Sequence, residues 1–383
     1  MSYIPYGRQC IEQDDIDAVI QVLQSDYLTT GPKVAEFEDV VASYTGAKYA
    51  VAVANGTAAL HIACMAAGVG VGDEVITTPI TFAASANCAL YCGAKAVFAD
   101  IKEDTYNIDP AKIEEKITER TKAIIPVHFT GQPCEMDEIM RIAKKHNLIV
   151  IEDAAHALGA SYKGQKIGSI SDMTILSFHP VKHITTAEGG MVLTDDEELY
   201  KKLSLYRTHG ITRNTDWMEK TKDLETGLEG DWYYQQVALG YNYRISDMQC
   251  ALGITQMKKL DRFVARRREI AARYDEAFAG MEGIVAPKQQ KECDNSYHLY
   301  VIQVLNKPRK QIFDGLRAAG IGVNVHYVPV YKHPYYQHNG YDTVCCPNAE
   351  TYYSRAISLP MYPLLTDKEQ EYVIGEVKRL CAD

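Results

Sequence analysis

Three short segments carry residues whose types and spacing could do chemistry. Asn55-Gly-Thr-Ala-Ala-Leu-His follows an apolar run that ends at Ala54 and opens a helical pattern. A small-residue turn at a helix start leaves backbone N–H groups unpaired at the positive end of the helix dipole, so it can hold a phosphate or serve merely as a cap. Ile149-Val-Ile-Glu-Asp-Ala-Ala-His places Asp153 just past the carboxyl end of an apolar strand. Ligands of open α/β sheets gather at that edge, although an Asp there can also cap the next helix. In the third segment Lys182 is framed by Phe178, Pro180, Val181 and Ile184 and followed by Gly189 and Gly190. Such a frame desolvates the amine, lowering its pKa and freeing it to attack a carbonyl, whereas an exposed loop lysine would stay charged.

His179 and His183 have a zinc-like i, i+4 spacing, but Pro180 between them opposes a helix and no third ligand is evident, so no metal is expected. The order of the three segments says more than any one of them. A phosphate cradle, then a strand-end Asp, then a lysine supplies what pyridoxal 5′-phosphate needs: an anchor, an acid partner for the pyridine nitrogen, and an amine for a Schiff base.

The elements that must position these residues form an α/β pattern. Between residue 48 and about 194, short apolar runs alternate with amphipathic stretches, which predicts βα units around a large, mostly parallel sheet. The runs are Tyr49 to Ala54, Glu74 to Thr78, Ala96 to Asp100, Ala123 to Val127, Leu148 to Glu152, Met173 to Phe178 and Met191 to Thr194. Helical spacing is clearest in Thr57 to Ala67 and Met136 to His146, and Pro110 heads another helix. Two helices, Glu12 to Gln24 and Pro32 to Tyr44, precede this unit and are joined by a lip, Ser25 to Gly31. Thr208 to Tyr243 is too long for an ordinary connection and reads as a functional loop or an intersubunit arm. A long helix, Ser246 to Phe278, then bridges to an α+β unit with a strand at Tyr297 to Leu305, a helix at Pro308 to Ala319, a strand at Val323 to Tyr327 and a closing helix from Asp367. The expected division is a large cofactor domain over 1–245 and a smaller domain over 246–383.

Composition narrows the partners. With 46% hydrophobic and 23% charged residues the 383-residue chain can bury a sizeable core, and 40 basic against 50 acidic residues give a net charge of -10. That balance suits small metabolites and excludes a generic nucleic-acid binder. The longest uncharged stretch, Val75 to Ala94, is interrupted by polar residues and Pro79, so no membrane span is expected. The first residues lack a basic segment and apolar run, which makes the cytoplasm the default compartment. Ten scattered cysteines without a CxxC pair read as reduced thiols.

Asn-Gly-Thr-Ala-Ala-Leu, Glu-Asp-Ala-Ala-His-Ala-Leu-Gly-Ala, Ser-Phe-His-Pro-Val-Lys, Glu-Gly-Gly and the later run Gly240-Tyr-Asn-Tyr-Arg-Ile-Ser-Asp-Met-Gln together resemble the DegT-type sugar-nucleotide aminotransferases over nearly the whole chain. His-Pro-Val-Lys-His-Ile-Thr-Thr, Trp232-Tyr-Tyr and the run from Gly322 to Tyr331 most resemble the members that act in pseudaminic acid biosynthesis. The resemblance implies the aspartate aminotransferase-like architecture of fold type I. It makes Lys182 the Schiff-base lysine and proton carrier, Asp153 the partner of the pyridine nitrogen, and His156 a neighbour of the cofactor's phenolic oxygen. Gly56, Thr57 and Ser177 match phosphate-binding positions, and Asn242 matches a residue that reaches the phosphate of the neighbouring subunit, so a homodimer with shared sites is implied. Tyr6, Tyr27, Thr29, His326 and Tyr327 match nucleotide-sugar contacts, and Arg244 could meet a donor carboxylate or the pyrophosphate. The implied reaction moves an amino group from L-glutamate to C4 of a UDP-linked 4-keto-6-deoxy-N-acetyl hexose. Three alternatives stay open: the epimeric UDP-4-keto-6-deoxy-D-GlcNAc as acceptor, a sugar dehydratase, and a regulator that keeps the cofactor without turnover. Dehydratase relatives carry His in place of the lysine, and Lys182 is present here. Ala187 stands where relatives commonly have Gly.

Overall fold

The computed structural model describes residues 3–222 and 230–382. Its first helices are α1 (Gln13–Leu23) and α2 (Pro32–Thr45). Proline at the first position suits a helix start, and Gly46 ends α2 at φ 84°, in the left-handed region. The fully buried Asp247 accepts the Gly31 and Lys33 amides at 2.8 and 3.0 Å, which ties the lip before α2 to a helix more than two hundred residues away.

The expected α/β unit follows: β1 (Tyr49–Val53), α3 (Gly56–Ala66), β2 (Glu74–Thr77), α4 (Ala84–Tyr91), β3 (Lys95–Phe98), α5 (Pro110–Glu114), β4 (Thr121–Ile125), α6 (Met136–His146), β5 (Ile149–Asp153), β6 (Met173–Ser177), β7 (Gly190–Thr194) and α7 (Glu197–Arg207). All seven strands form one sheet in the order β1-β7-β6-β5-β4-β2-β3. It is parallel from β3 to β6, and β7 runs antiparallel to both of its neighbours. Helices cover both faces, so the strands are mostly apolar, and successive side chains feed opposite cores. On β5, Val150 belongs to one core with Phe37 and Val41 of α2 and Ile142 of α6, while Ile151 belongs to the other with Ile62 of α3 and Leu203 of α7.

The rest of the chain comprises α8 (Asp247–Met257), α9 (Leu260–Phe278), β8 (Tyr300–Val304), α10 (Arg309–Ala318), α11 (Pro347–Arg355), β9 (Ala356–Leu359) and α12 (Asp367–Cys381). Ile284–Val285, β8 and β9 make a small antiparallel sheet whose core includes Ile270, Tyr274, Ile302, Leu316 and Val373. Ile4 joins that core and exchanges backbone hydrogen bonds with Gly320 and Gly322. A further cluster packs Phe98 and Phe129 of the large-sheet region against Val301, Tyr331 and Tyr352.

Two expectations are corrected. The single helix Ser246 to Phe278 is two helices, because Lys259 bonds back to the Gln256 carbonyl in a tighter turn while its amine pairs with Asp14 and Asp15 of α1 at 2.6 and 2.7 Å. Val323 to Tyr327 is not a strand. It makes one bridge, Asn324 with Ser358, and His326 and Tyr327 then turn their rings toward Ser358 and His156. Within the long segment from Thr208 to Tyr243, Ile211–Thr212 pairs with Gln235–Gln236, and 223–229 lies outside the described residues. Among the described residues no helix is long and apolar enough to cross a membrane.

Candidate active site

β5 and β6 run parallel, and both deliver chemistry at their carboxyl ends. Asp153 is the last residue of β5, and the segment after β6 carries Lys182 in a turn closed by Lys182 N–H donating to the His179 carbonyl. Lys182 is partly buried, and its Nζ lies 3.5 Å from His298 Nε2. Burial lowers its pKa to about 8; Asp153 pulls the other way and Arg267 adds to the fall. At neutral pH the amine is therefore much closer to its nucleophilic form than an exposed lysine is.

Asp153 is buried, and its carboxylate accepts from Ser85 Oγ at 2.6 Å and from the Ala155 amide at 3.1 Å. Ser85 sits near the start of α4 and shares its hydroxyl with Thr81 Oγ1 at 2.7 Å, so the carboxylate is held by a small network.

Around the lysine stands a set of buried aromatic and imidazole rings. His156 packs on His298 with centroids 4.3 Å apart and lies within hydrogen-bond reach of the Tyr327 hydroxyl, Nε2 to O 3.3 Å. His183 Nε2–H donates to the Ser296 carbonyl at 3.1 Å. The Nδ1 atoms of His156, His183 and His298 have no protein partner among the described residues. Burial above all, with Lys182 as a nearby cation, holds His156 and His298 well below the usual imidazole range. His183 is lowered too, by burial and then Arg267. His326 is driven to about 3 by burial and then Lys182, and its Nδ1 meets Ser358 Oγ at 2.7 Å. All four imidazoles are thus neutral at physiological pH. Among the described residues no group of three or more His, Cys, Asp or Glu is placed to hold a metal.

The other end of the site is the turn from β1 into α3. Asn55 caps α3 by accepting from the Ala58 amide at 2.8 Å, and the first helical bond runs from the Ala59 amide to the Asn55 carbonyl. The amides of Gly56 and Thr57 precede that bond and stay available for an anion. A side chain on Gly56 would come to 3.2 Å from Ser177 Cβ, and one on Gly190 would strike the Asn55 carbonyl at 2.5 Å, so both glycines keep this turn pressed against the end of β6. Free amides beside the Ser177 hydroxyl, a buried carboxylate, a lysine of lowered pKa and a His156 Nδ1 without a partner among the described residues fit a phosphate-bearing pyridine aldehyde.

The structure thus brings Lys182, Asp153, His156, Gly56, Thr57, Ser177, His326 and Tyr327 to the sheet edge and the loops over it. Tyr6 joins them, its ring 5.6 Å from that of His326. Tyr27 and Thr29 lie on the exposed lip, where Thr29 bridges to Ser246 by backbone only. Arg244 is partly buried and Asn242 exposed, and the side chains of both make no hydrogen bond or ion pair among the described residues. Ser85, His298 and Arg267 were not legible as site residues, because each comes from a distant segment without a local motif. Phe82, 64% exposed and 6.4 Å from Tyr327 between ring centroids, was missed for the same reason; only its exposure marks it.

Ala187 adopts φ 65°, the left-handed conformation in which a Cβ is strained. Ala187→Gly is therefore expected to stabilise the fold by about 1 kcal/mol, with the gain in unfolded-chain entropy offsetting part of the relief. Chemical denaturation would show a raised midpoint at unchanged slope; a lowered midpoint would mean that the strain is compensated locally.

The DegT/DnrJ/EryC1/StrS aminotransferase family model matches residues 9–378. The spore coat polysaccharide biosynthesis protein SpsC of Bacillus subtilis is 44% identical, the alignment covering 98% of this chain and 96% of that one. The UDP-4-amino-4,6-dideoxy-N-acetyl-beta-L-altrosamine transaminase of Campylobacter jejuni is 42% identical, over 97% and 95%. Among solved structures, Helicobacter pylori PseC, an aminotransferase involved in the biosynthesis of pseudoaminic acid, superposes with TM-score 0.91 at 33% identity and 99% coverage of both chains. Spr1654 of Streptococcus pneumoniae, assigned as a sugar aminotransferase and solved in its PMP form, gives 0.92 at 34% identity, also with 99% coverage of both.

Proposed function

The chain belongs to the DegT/DnrJ/EryC1/StrS aminotransferase family, and from that premise we propose that it uses pyridoxal 5′-phosphate to move an amino group from L-glutamate to C4 of a UDP-linked 4-keto-6-deoxy-N-acetyl hexose, in pseudaminic acid biosynthesis. The observation that carries the reading is the placing of Lys182, with its depressed pKa, in one site with Asp153 and the α3 start. When bound, the cofactor supplies an aldehyde carbon and an electron-accepting ring, which allow an amine to be taken from one partner and given to another.

Lys182 would hold the cofactor through Nζ, and its Nζ, when free, would take and return a proton. Asp153 would keep a proton on the nitrogen of the bound ring, with Ser85 and the Ala155 amide fixing its two oxygens. The amides of Gly56 and Thr57 and the hydroxyl of Ser177 hold the phosphate. His156 would orient the ring's phenolic side, its Nε2 lying 3.3 Å from the Tyr327 hydroxyl. Tyr6, Tyr27, Thr29, His326 and Tyr327 contact the nucleotide sugar, and Arg244 binds a carboxylate or pyrophosphate oxygen.

Asn242, exposed and with no side-chain hydrogen bond among the described residues, serves the site of a second copy, so the working unit is a homodimer, with the cytoplasm as its compartment. The acidic net charge does not oppose an anionic substrate, since the groups that would meet it are local: a helix start, Lys182 and Arg244. The Campylobacter relative and PseC support the pseudaminic branch, while SpsC's name points to spore coat polysaccharide, so the epimeric UDP-4-keto-6-deoxy-D-GlcNAc is the second acceptor worth assaying. Retention of Lys182 speaks against a dehydratase.

The test is a two-step assay. L-glutamate is expected to convert the bound cofactor to its amine form, and the 4-keto UDP sugar to convert it back, with product stereochemistry read by NMR against the C5 epimer. A protein that keeps the aldehyde form in excess glutamate is a binding regulator, and the proposal fails.

A further inference from the structure

We infer that His298 is a positioning residue for Lys182: its Nε2, 3.5 Å from Nζ, accepts a hydrogen of the amine whenever the lysine is off the cofactor, and Arg267 fixes the imidazole's backbone for that purpose. Arg267 is fully buried, and among the described residues no carboxylate pairs with it. Its Nη1 instead donates to the carbonyls of Tyr297 and His298 at 3.2 Å each and of Met361 at 2.9 Å. A guanidinium placed so deep without an acid costs stability, and its bonds converge on the segment that carries His298.

His298 is suited to the task because it is neutral. Burial and the cations Lys182 and Arg267 oppose its protonation, so one ring nitrogen always offers a lone pair. A charged residue there would either repel the ammonium or hold it too tightly to leave. Among the described residues the titratable groups facing Lys182 are the acid Asp153, together with Arg267, His156, His183, His298 and His326, with Arg8 and Cys10 lining the small cavity that Lys182 also lines. Of these, His298 is the one within hydrogen-bond distance of Nζ. The inference rests on Lys182 being the cofactor-bearing amine, and its role is to give that amine one resting place, from which it returns to the same carbon after each transfer.

The experiment uses protein freed of cofactor, so that it succeeds or fails independently of which sugar is the substrate. Reductive methylation of Lys182 by formaldehyde and cyanoborohydride, followed by peptide mass spectrometry across pH 6 to 10, reports the amine's apparent pKa. An acceptor stabilises the ammonium, so His298→Phe is expected to move the midpoint down by roughly one pH unit, and His298→Asn, whose amide oxygen can accept, to return it most of the way. A merely structural role would leave the midpoint in place. Equal midpoints in all three proteins, or an upward shift, would overturn the inference. Should His298→Phe not fold, NMR of protein labelled with ¹⁵N-histidine decides: the His298 Nε2 signal is expected to shift on Lys182→Met, and an unshifted signal sinks the proposal.

Discussion

Lys182→Ala is expected to remove both half-reactions, with turnover falling by roughly four powers of ten or more, because the substitution deletes the nucleophile and the proton carrier together. Borohydride reduction of the loaded variant should leave no modified peptide spanning residue 182, whereas the wild-type protein should be labelled there. The fold should survive. Among the described residues Lys182 donates no side-chain hydrogen bond beyond its contact with His298, and removing a partly buried amine with a depressed pKa relieves more desolvation than it costs in contacts. The wild-type rate of cofactor capture should also rise with pH through about 8, as the neutral amine comes to dominate, and level off above it. A variant that retained a reducible link would assign the amine to another lysine. Slow turnover without such a link, rescued by added small amines, would show that the rest of the site is intact and that only the amine is missing.

The architecture around this lysine was legible to different depths for physical reasons. β1, β2, β4, β5, β6 and β7 are buried almost throughout, so each reads as a mostly apolar run with few polar interruptions, and short polar or glycine-bearing turns mark their ends. Asp153 and Lys182 were readable because their roles depend on local context, a strand end and an apolar turn. Ser85 and His298 reach their partners from 68 and 116 positions away, and only the fold joins them. The break between α8 and α9 escaped notice since helical spacing continues across it, while its cause, the pairing of Lys259 with Asp14, spans 245 residues. Val323 and Val325 alternate as a strand should, yet the backbone there pairs at one point and sends His326 and Tyr327 to the site instead. In that segment local preference and the demands of the site conflict, and the site prevails.

Asp153→Asn separates the charge of this residue from its shape. The carboxamide has nearly the same volume, its oxygen can still accept the Ala155 amide, and the Ser85 hydroxyl can reverse to accept an N–H, since it already exchanges a hydrogen with Thr81. Stability should therefore change by no more than about 1 kcal/mol, and the cofactor should still be held through Lys182 and the α3 turn. The negative charge, however, is gone. A unit charge pair within hydrogen-bond reach at an effective dielectric near 20 is worth roughly 4 kcal/mol, so losing it from the step in which negative charge builds on the ring should cost about three powers of ten in turnover. The loss should fall on kcat in both half-reactions alike, because the ring nitrogen is shared by glutamate and sugar, with substrate affinity little changed. Rapid-mixing absorbance of each half-reaction measures this directly. A deficit confined to the sugar half would place Asp153 in substrate recognition, and near-normal rates in both would remove it from the reacting groups and leave it the cap of the segment after β5.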